Sequence, residues 1–93
     1  MIKTPVAIQP AYTIYYEEYE HRTFTHADVY KWTPVIAKEF KMVHALLQQI
    51  HSDPFYCLVD NPKLEKFVKF LGYEFLKEVI CTDGAIRRIF KYG

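Results

Sequence analysis

The chain has 93 residues, a formal net charge of +1, 51% hydrophobic residues and 17% aromatic residues, eight of them Tyr. This bounds it to a single domain over residues 1–93 with a modest core, and it excludes a disordered chain. A charge so near zero gives no general reason to expect a nucleic-acid partner.

Pro5 to Gln9 reads as a short edge-like strand, with Pro10 interrupting any central pairing. Ala11 to His21 follows as a strand, where Tyr12, Ile14 and Tyr16 alternate with Thr13, Tyr15 and Glu17. Arg22 and Thr23 give a turn, and Phe24 to Trp32 returns as the second strand of a hairpin. Thr33-Pro34 then opens a helix: a Thr cap, and a Pro in the first turn, where a missing N–H costs nothing. Ile36, Phe40, Val43, Leu47 and Ile50 recur at helical spacing, which predicts a helix over 34–50, ended by Ser52-Asp53-Pro54. Phe55 to Val59 is a short apolar strand. Asp60 or Asn61 caps a second helix over 62–71, with Leu64, Phe67, Val68 and Leu71 on one face. Gly72 supplies its left-handed exit. Tyr73 to Ile80 and Ala85 to Tyr92 form a closing hairpin around Asp83-Gly84. The order is ββαβαββ, or the same with one more N-terminal strand. It predicts an α+β fold, a mostly antiparallel sheet with two packed helices.

No apolar run approaches the length of a membrane span, and the N-terminus lacks a signal-peptide core. Cys57 and Cys81 are too few for a disulfide scaffold and have no C-x-x-C partner, so a reduced, cytoplasmic compartment is the simplest reading.

Asn61, Phe67, Gly72 and Tyr73 stand in an order that resembles the C-terminal half of the GNAT acyltransferase superfamily: an Asn opening the last helix, an aromatic within it, then Gly and an aromatic at the next strand. The stretch from Asn61 to the hairpin is also similar to small GNAT-like virion-associated proteins of short-tailed bacteriophages. The resemblance covers about the last forty-five residues. It implies a truncated GNAT-like domain without the first strand and first two helices of that fold. It also implies where a coenzyme A site would lie. The family's glycine-rich loop, whose bare N–H groups hold the pyrophosphate, falls here on Lys41 and Val43, and its basic residue falls near Lys38. No Gly occurs before Gly72, so the cradle is not built in that way. Lys38 and Lys41 remain as point charges for phosphate, or simply as the solvated face of a helix. The family's Tyr proton donor falls on Val68, which has no proton to give. Asn61 is the best retained position. It is either a helix cap, sufficient by itself, or a contact to the pantetheine arm.

Other constellations read as structure first. His26-x-Asp28 shares a strand face, but no Ser or Cys nucleophile stands with it. His44 and His51 lie two turns apart on one helical stripe, too far for one metal. Tyr73 is a sheet aromatic, or a hydroxyl facing a cleft. Lys63, Lys66 and Lys69 recur along the second helix, and Arg87 and Arg88 could extend them into a basic surface. Glu17, Glu18 and Glu20 must point to both faces of their strand.

The residues and the resemblance together point to a catalytically degenerate GNAT-like binding protein, and the resemblance alone implies an accessory factor of a bacteriophage, directed at the host cytoplasm or associated with the virion. It has no assigned catalytic or metal-binding residue and no expected cofactor. The alternative is a minimal coenzyme A-dependent N-acetyltransferase, with Asn61, Lys38 and Lys41 as the acetyl-CoA contacts. A truncated sheet leaves an edge, expected at the Tyr12–Tyr19 strand, that a protein partner or a second copy must cover. The expected contact residues are Tyr12, Tyr15, Tyr16, Glu17, Glu18 and Tyr19.

Overall fold

A computed structural model describes residues 2–93. The chain runs β1 (Thr4–Gln9), β2 (Tyr12–Tyr19), β3 (Arg22–Val29), α1 (Pro34–His51), β4 (Phe55–Val59), α2 (Pro62–Leu71), β5 (Glu74–Ile80) and β6 (Ile86–Tyr92). The strands form one sheet in the order β1-β2-β3-β4-β6-β5. Every neighbouring pair is antiparallel except β3 and β4, which run parallel because α1 crosses over between them. The architecture is the expected α+β, with the additional N-terminal strand present.

The helix signals act where the sequence places them. The Thr33 side chain accepts from the Ile36 N–H at 3.2 Å, and the Asn61 side chain accepts from the Leu64 N–H at 2.8 Å. Pro34 and Pro62 follow as the first helical residues. Gly72 closes α2 at φ 111°, where an added Cβ would lie 3.1 Å from the Tyr92 ring. The non-glycine Ser52 closes α1 at φ 67°.

Both helices pack on the same face of the sheet. Phe40 of α1 and Phe67 of α2 lie 5.3 Å apart edge to face, and Trp32 touches both rings. Beneath them Tyr12, Ile14, Phe55, Val59, Val68, Leu71, Tyr73 and Phe90 form the core. Because strand side chains alternate, Thr13, Tyr15, Glu17, Phe24, His26 and Tyr56 fall on the opposite face, which neither helix covers.

Two expectations are corrected. The turn of the first hairpin is Glu20-His21, not Arg22-Thr23, and Arg22 and Thr23 begin β3. Glu20 and His21 have φ of 50° and 63°, the double left-handed geometry that matches the twist of a two-residue hairpin. It is usually signalled by Asn or Gly, and neither is present. Second, the Tyr12–Tyr19 strand is not an edge. β1 pairs along one side of it and β3 along the other, so the edges are β1 and β5.

Candidate functional site

A deep concavity arises where the sheet opens. β3 and β4 are paired only at Thr23–Phe55 and Phe24–Tyr56, and then diverge. Thr25 and Cys57 are the next residues along, and both line the gap. The backbone groups that would have joined the two strands are left facing a cleft of about 900 Å³. Helices α1 and α2 wall it with Phe40, Leu64 and Phe67, Trp32 adds its ring from the segment before α1, and Asn61, Lys63, Lys3 and Asp28 also contribute to its lining.

The cleft has a polar floor. The Tyr73 hydroxyl lies 2.7 Å from Thr25 Oγ1 and 2.7 Å from His44 Nε2. Thr25, His44 and Tyr73 come from β3, α1 and the entry to β5, and all are buried. The His44 ring is held edge-on by Phe55 and Tyr92, 5.4 and 4.8 Å away. Burial lowers its pKa to about 4, so the imidazole is neutral at neutral pH. Burial likewise pushes the Tyr73 hydroxyl up and the Cys57 thiol up to about 12. Neither ionises near pH 7, so Cys57 is no thiolate nucleophile. Among the described residues, the buried side-chain polar atom left without a protein partner is His44 Nδ1.

This trio was not legible as a unit. His44 read as a residue on the helical stripe with His51, and Tyr73 as a sheet aromatic or a hydroxyl facing a cleft, the second of which is where the structure places it. In the fold His51 turns instead to Thr23 Oγ1 at 2.8 Å. The available signal was a histidine at the centre of an apolar helical face, beside Phe40 and Leu47.

The other candidates separate. Asn61 caps α2 and also lines the cleft. Lys38 and Lys41 are exposed on α1 and do not line it. The Lys41 ammonium sits 5.1 Å from the centre of the Phe70 ring. Val68 is 2% exposed and belongs to the core.

Of the expected contact residues, Tyr12 is fully buried and donates to Glu39 at 2.8 Å. It cannot meet a partner. Tyr16 packs on Phe55 and His51 from the helix side. Tyr15 donates to Asp28 at 3.0 Å on the other face. Glu17 pairs with His26, and Glu18 accepts from Thr23. Tyr19 is 46% exposed at the hairpin end. These residues therefore do not share one surface.

The basic residues are broken up in the same way. Lys63, Lys66 and Lys69 are exposed, but Lys69 pairs with Glu65. Arg88 also pairs with Glu65, and Arg87 with Asp83. The Lys69 and Arg88 cations hold the Glu65 carboxyl below its usual range. Among the described residues, no three His, Cys, Asp or Glu side chains gather as a metal site, and no helix is long and apolar enough to cross a membrane.

No protein-family profile and no curated protein sequence matches the chain. Among solved structures, a chain assigned to the GnaT family of acetyltransferases, from Bordetella pertussis, has the same fold at a TM-score of 0.65 and 11% identity. The match covers 89% of this chain and spans 57% of that one. At this identity the likeness is one of fold: the sheet and helices described above are GNAT-like.

Proposed function

We propose that this chain is a catalytically silent GNAT-like domain that acts by non-covalent binding, with no coenzyme A cofactor. The observation that carries this reading is the start of α1. A phosphate cradle at a helix N-terminus needs bare backbone N–H groups and little side chain around them. Here Pro34 has no N–H, and the Ile36 N–H is held by the Thr33 hydroxyl. No glycine stands in the helix, and Lys38 and Lys41 lie outside the cleft. Val68, at the position where the resemblance puts a proton donor, supports the same reading.

In this reading the partner is a protein or a second copy of the chain, seated on an open sheet edge. The β5 edge offers Phe75, Leu76 and Ile80, which are 48%, 42% and 78% exposed. An accessory role in a phage-infected cell or a virion rests on the sequence resemblance alone.

The second reading, a minimal coenzyme A-dependent N-acetyltransferase, is favoured by one observation: a Tyr73 hydroxyl at the cleft floor, able to give a proton. Calorimetric titration with acetyl-CoA separates the two. The binding domain shows no saturable heat at micromolar cofactor. A stoichiometric micromolar complex, with acetyl transfer to an amine, establishes the enzyme.

A further inference from the structure

We infer that the outward side of α1 is a docking surface for an acidic amphipathic helix of a partner protein. This surface lies apart from the cleft and from the sheet edges, so the inference goes beyond the binding-domain reading and adds a second partner surface to it.

The apolar residues set the shape. Val35, Met42, Leu46 and Ile50 of α1 are each more than half exposed. At about 100° per residue they fall within about 80° of one another, on the side turned away from the buried Phe40 and His44. A helix that buries one stripe normally carries polar residues on the opposite one. Here the opposite side repeats the apolar pattern. Met42, Leu46 and Ile50 stand four apart and form one ridge, the shape that seats between two ridges of a facing helix. From Val35 to Ile50 the stripe is about 22 Å long, the length of a four-turn helix.

Charge selects which helix. The two helices hold five lysines against Glu39 and Glu65. Both glutamates are engaged: Glu39 accepts from the Tyr12 hydroxyl, and Glu65 pairs with Lys69 and Arg88. Lys38 borders the stripe. Lys41 lies further round towards α2, with its ammonium 5.1 Å from the centre of the Phe70 ring. Among the described residues, neither Lys38 nor Lys41 has a carboxylate partner. The surface is therefore apolar along its ridge and basic along one flank. A helix with an apolar stripe beside a row of Asp or Glu complements both.

Two other occupants fit less well. A second copy brings the same lysine flank and no free carboxylate, so Lys38 and Lys41 would stay unpaired. A lipid surface is flat, whereas the ridge is a single row of side chains.

Two dye-labelled synthetic peptides of the length of α1 serve as probes. Each carries a helical stripe of Leu on an Ala background, and the flanking row is all Glu in one and all Lys in the other. Fluorescence anisotropy with the full chain should show saturable binding of the Glu peptide, at least tenfold tighter than the Lys peptide. Met42→Gln with Leu46→Gln removes the ridge without adding charge and should weaken the Glu peptide at least tenfold. Leu46→Ala, the milder change, should weaken it severalfold. Lys38→Glu with Lys41→Glu should invert the preference, so that the Lys peptide binds tighter. Ile80→Glu, on the β5 edge, should leave the affinity unchanged. Circular dichroism checks that each variant is folded. Absence of saturable binding, equal affinity for the two peptides, or a preference that survives the double charge reversal overturns the inference. So does a loss of binding in folded Ile80→Glu. Self-association of the chain that the double Gln variant abolishes assigns the ridge to a second copy instead. Binding to phosphatidylglycerol vesicles without binding to the Glu peptide assigns it to lipid. None of these outcomes bears on acetyl-CoA, so the calorimetric test of the binding-domain reading stands or falls separately.

Discussion

The seam between β2 and β3 and the seam between β3 and β4 share a strand and behave in opposite ways. The first is antiparallel and stays in register from Tyr12–Val29 to Tyr19–Arg22. The second is parallel and holds only at Thr23–Phe55 and Phe24–Tyr56. A two-residue turn ties the first pair together at its end. The second pair is joined by the 18-residue helix α1, so the strands are free to diverge once the core stops holding them. The closed seam makes the sheet, and the open one makes the cleft.

Phe55 marks the point where the open seam begins. It is fully buried, and Tyr16, His44 and His51 all pack on its ring. Phe55→Ala is expected to cost about 3–5 kcal/mol, read from urea unfolding. Leu58, further along the diverging part and 37% exposed, should cost less than about 1 kcal/mol when changed to Ala. Equal costs would mean that the junction has no special role.

The floor of the cleft makes stability depend on pH. His44 takes a proton in the unfolded chain near 6.5, but in the folded protein only near 4. Stability is therefore complete above about pH 6.5 and declines as pH falls towards 4, by about 3 kcal/mol from this group. Urea midpoints at pH 7 and pH 4.5 measure it. His44→Phe should flatten that part of the profile, and an unchanged slope would remove His44 as its source.

Tyr73→Phe deletes the hydroxyl that joins Thr25 to His44 and leaves two buried groups unpaired. A loss of about 1–3 kcal/mol is expected. Tyr15→Phe, on the uncovered face and bonded to Asp28, should cost under about 1 kcal/mol by the same measurement. A larger loss from Tyr15→Phe would place the more important polar contacts along the closed seam.

Asn61→Ala at the start of α2 should cost about 1 kcal/mol from the lost cap, read from urea unfolding.

Much of this architecture was decided within short stretches of chain. The caps at Thr33 and Asn61, the exit at Gly72 and the strand Phe55–Val59 depend on neighbours a few residues away, and they stand where the spacing predicts. The Glu20-His21 turn escaped because its left-handed geometry is imposed by strand twist on residues that do not advertise it. Pro5–Gln9 was readable as an edge strand, but that Tyr12–Tyr19 lies inside the sheet and that β5 forms the other edge was beyond reach, because this is settled by the pairing of β1 with β2 and by β6 entering between β4 and β5. The Thr25–Tyr73–His44 floor lay furthest from view. Its members are separated by 19 to 48 positions. A threonine on a strand, a histidine on an apolar helix face and a tyrosine after a glycine carry no mutual signal in the chain. Tertiary packing decides their meeting, because a hydroxyl and an imidazole drawn out of water by the core must find partners there, and these are the ones within reach.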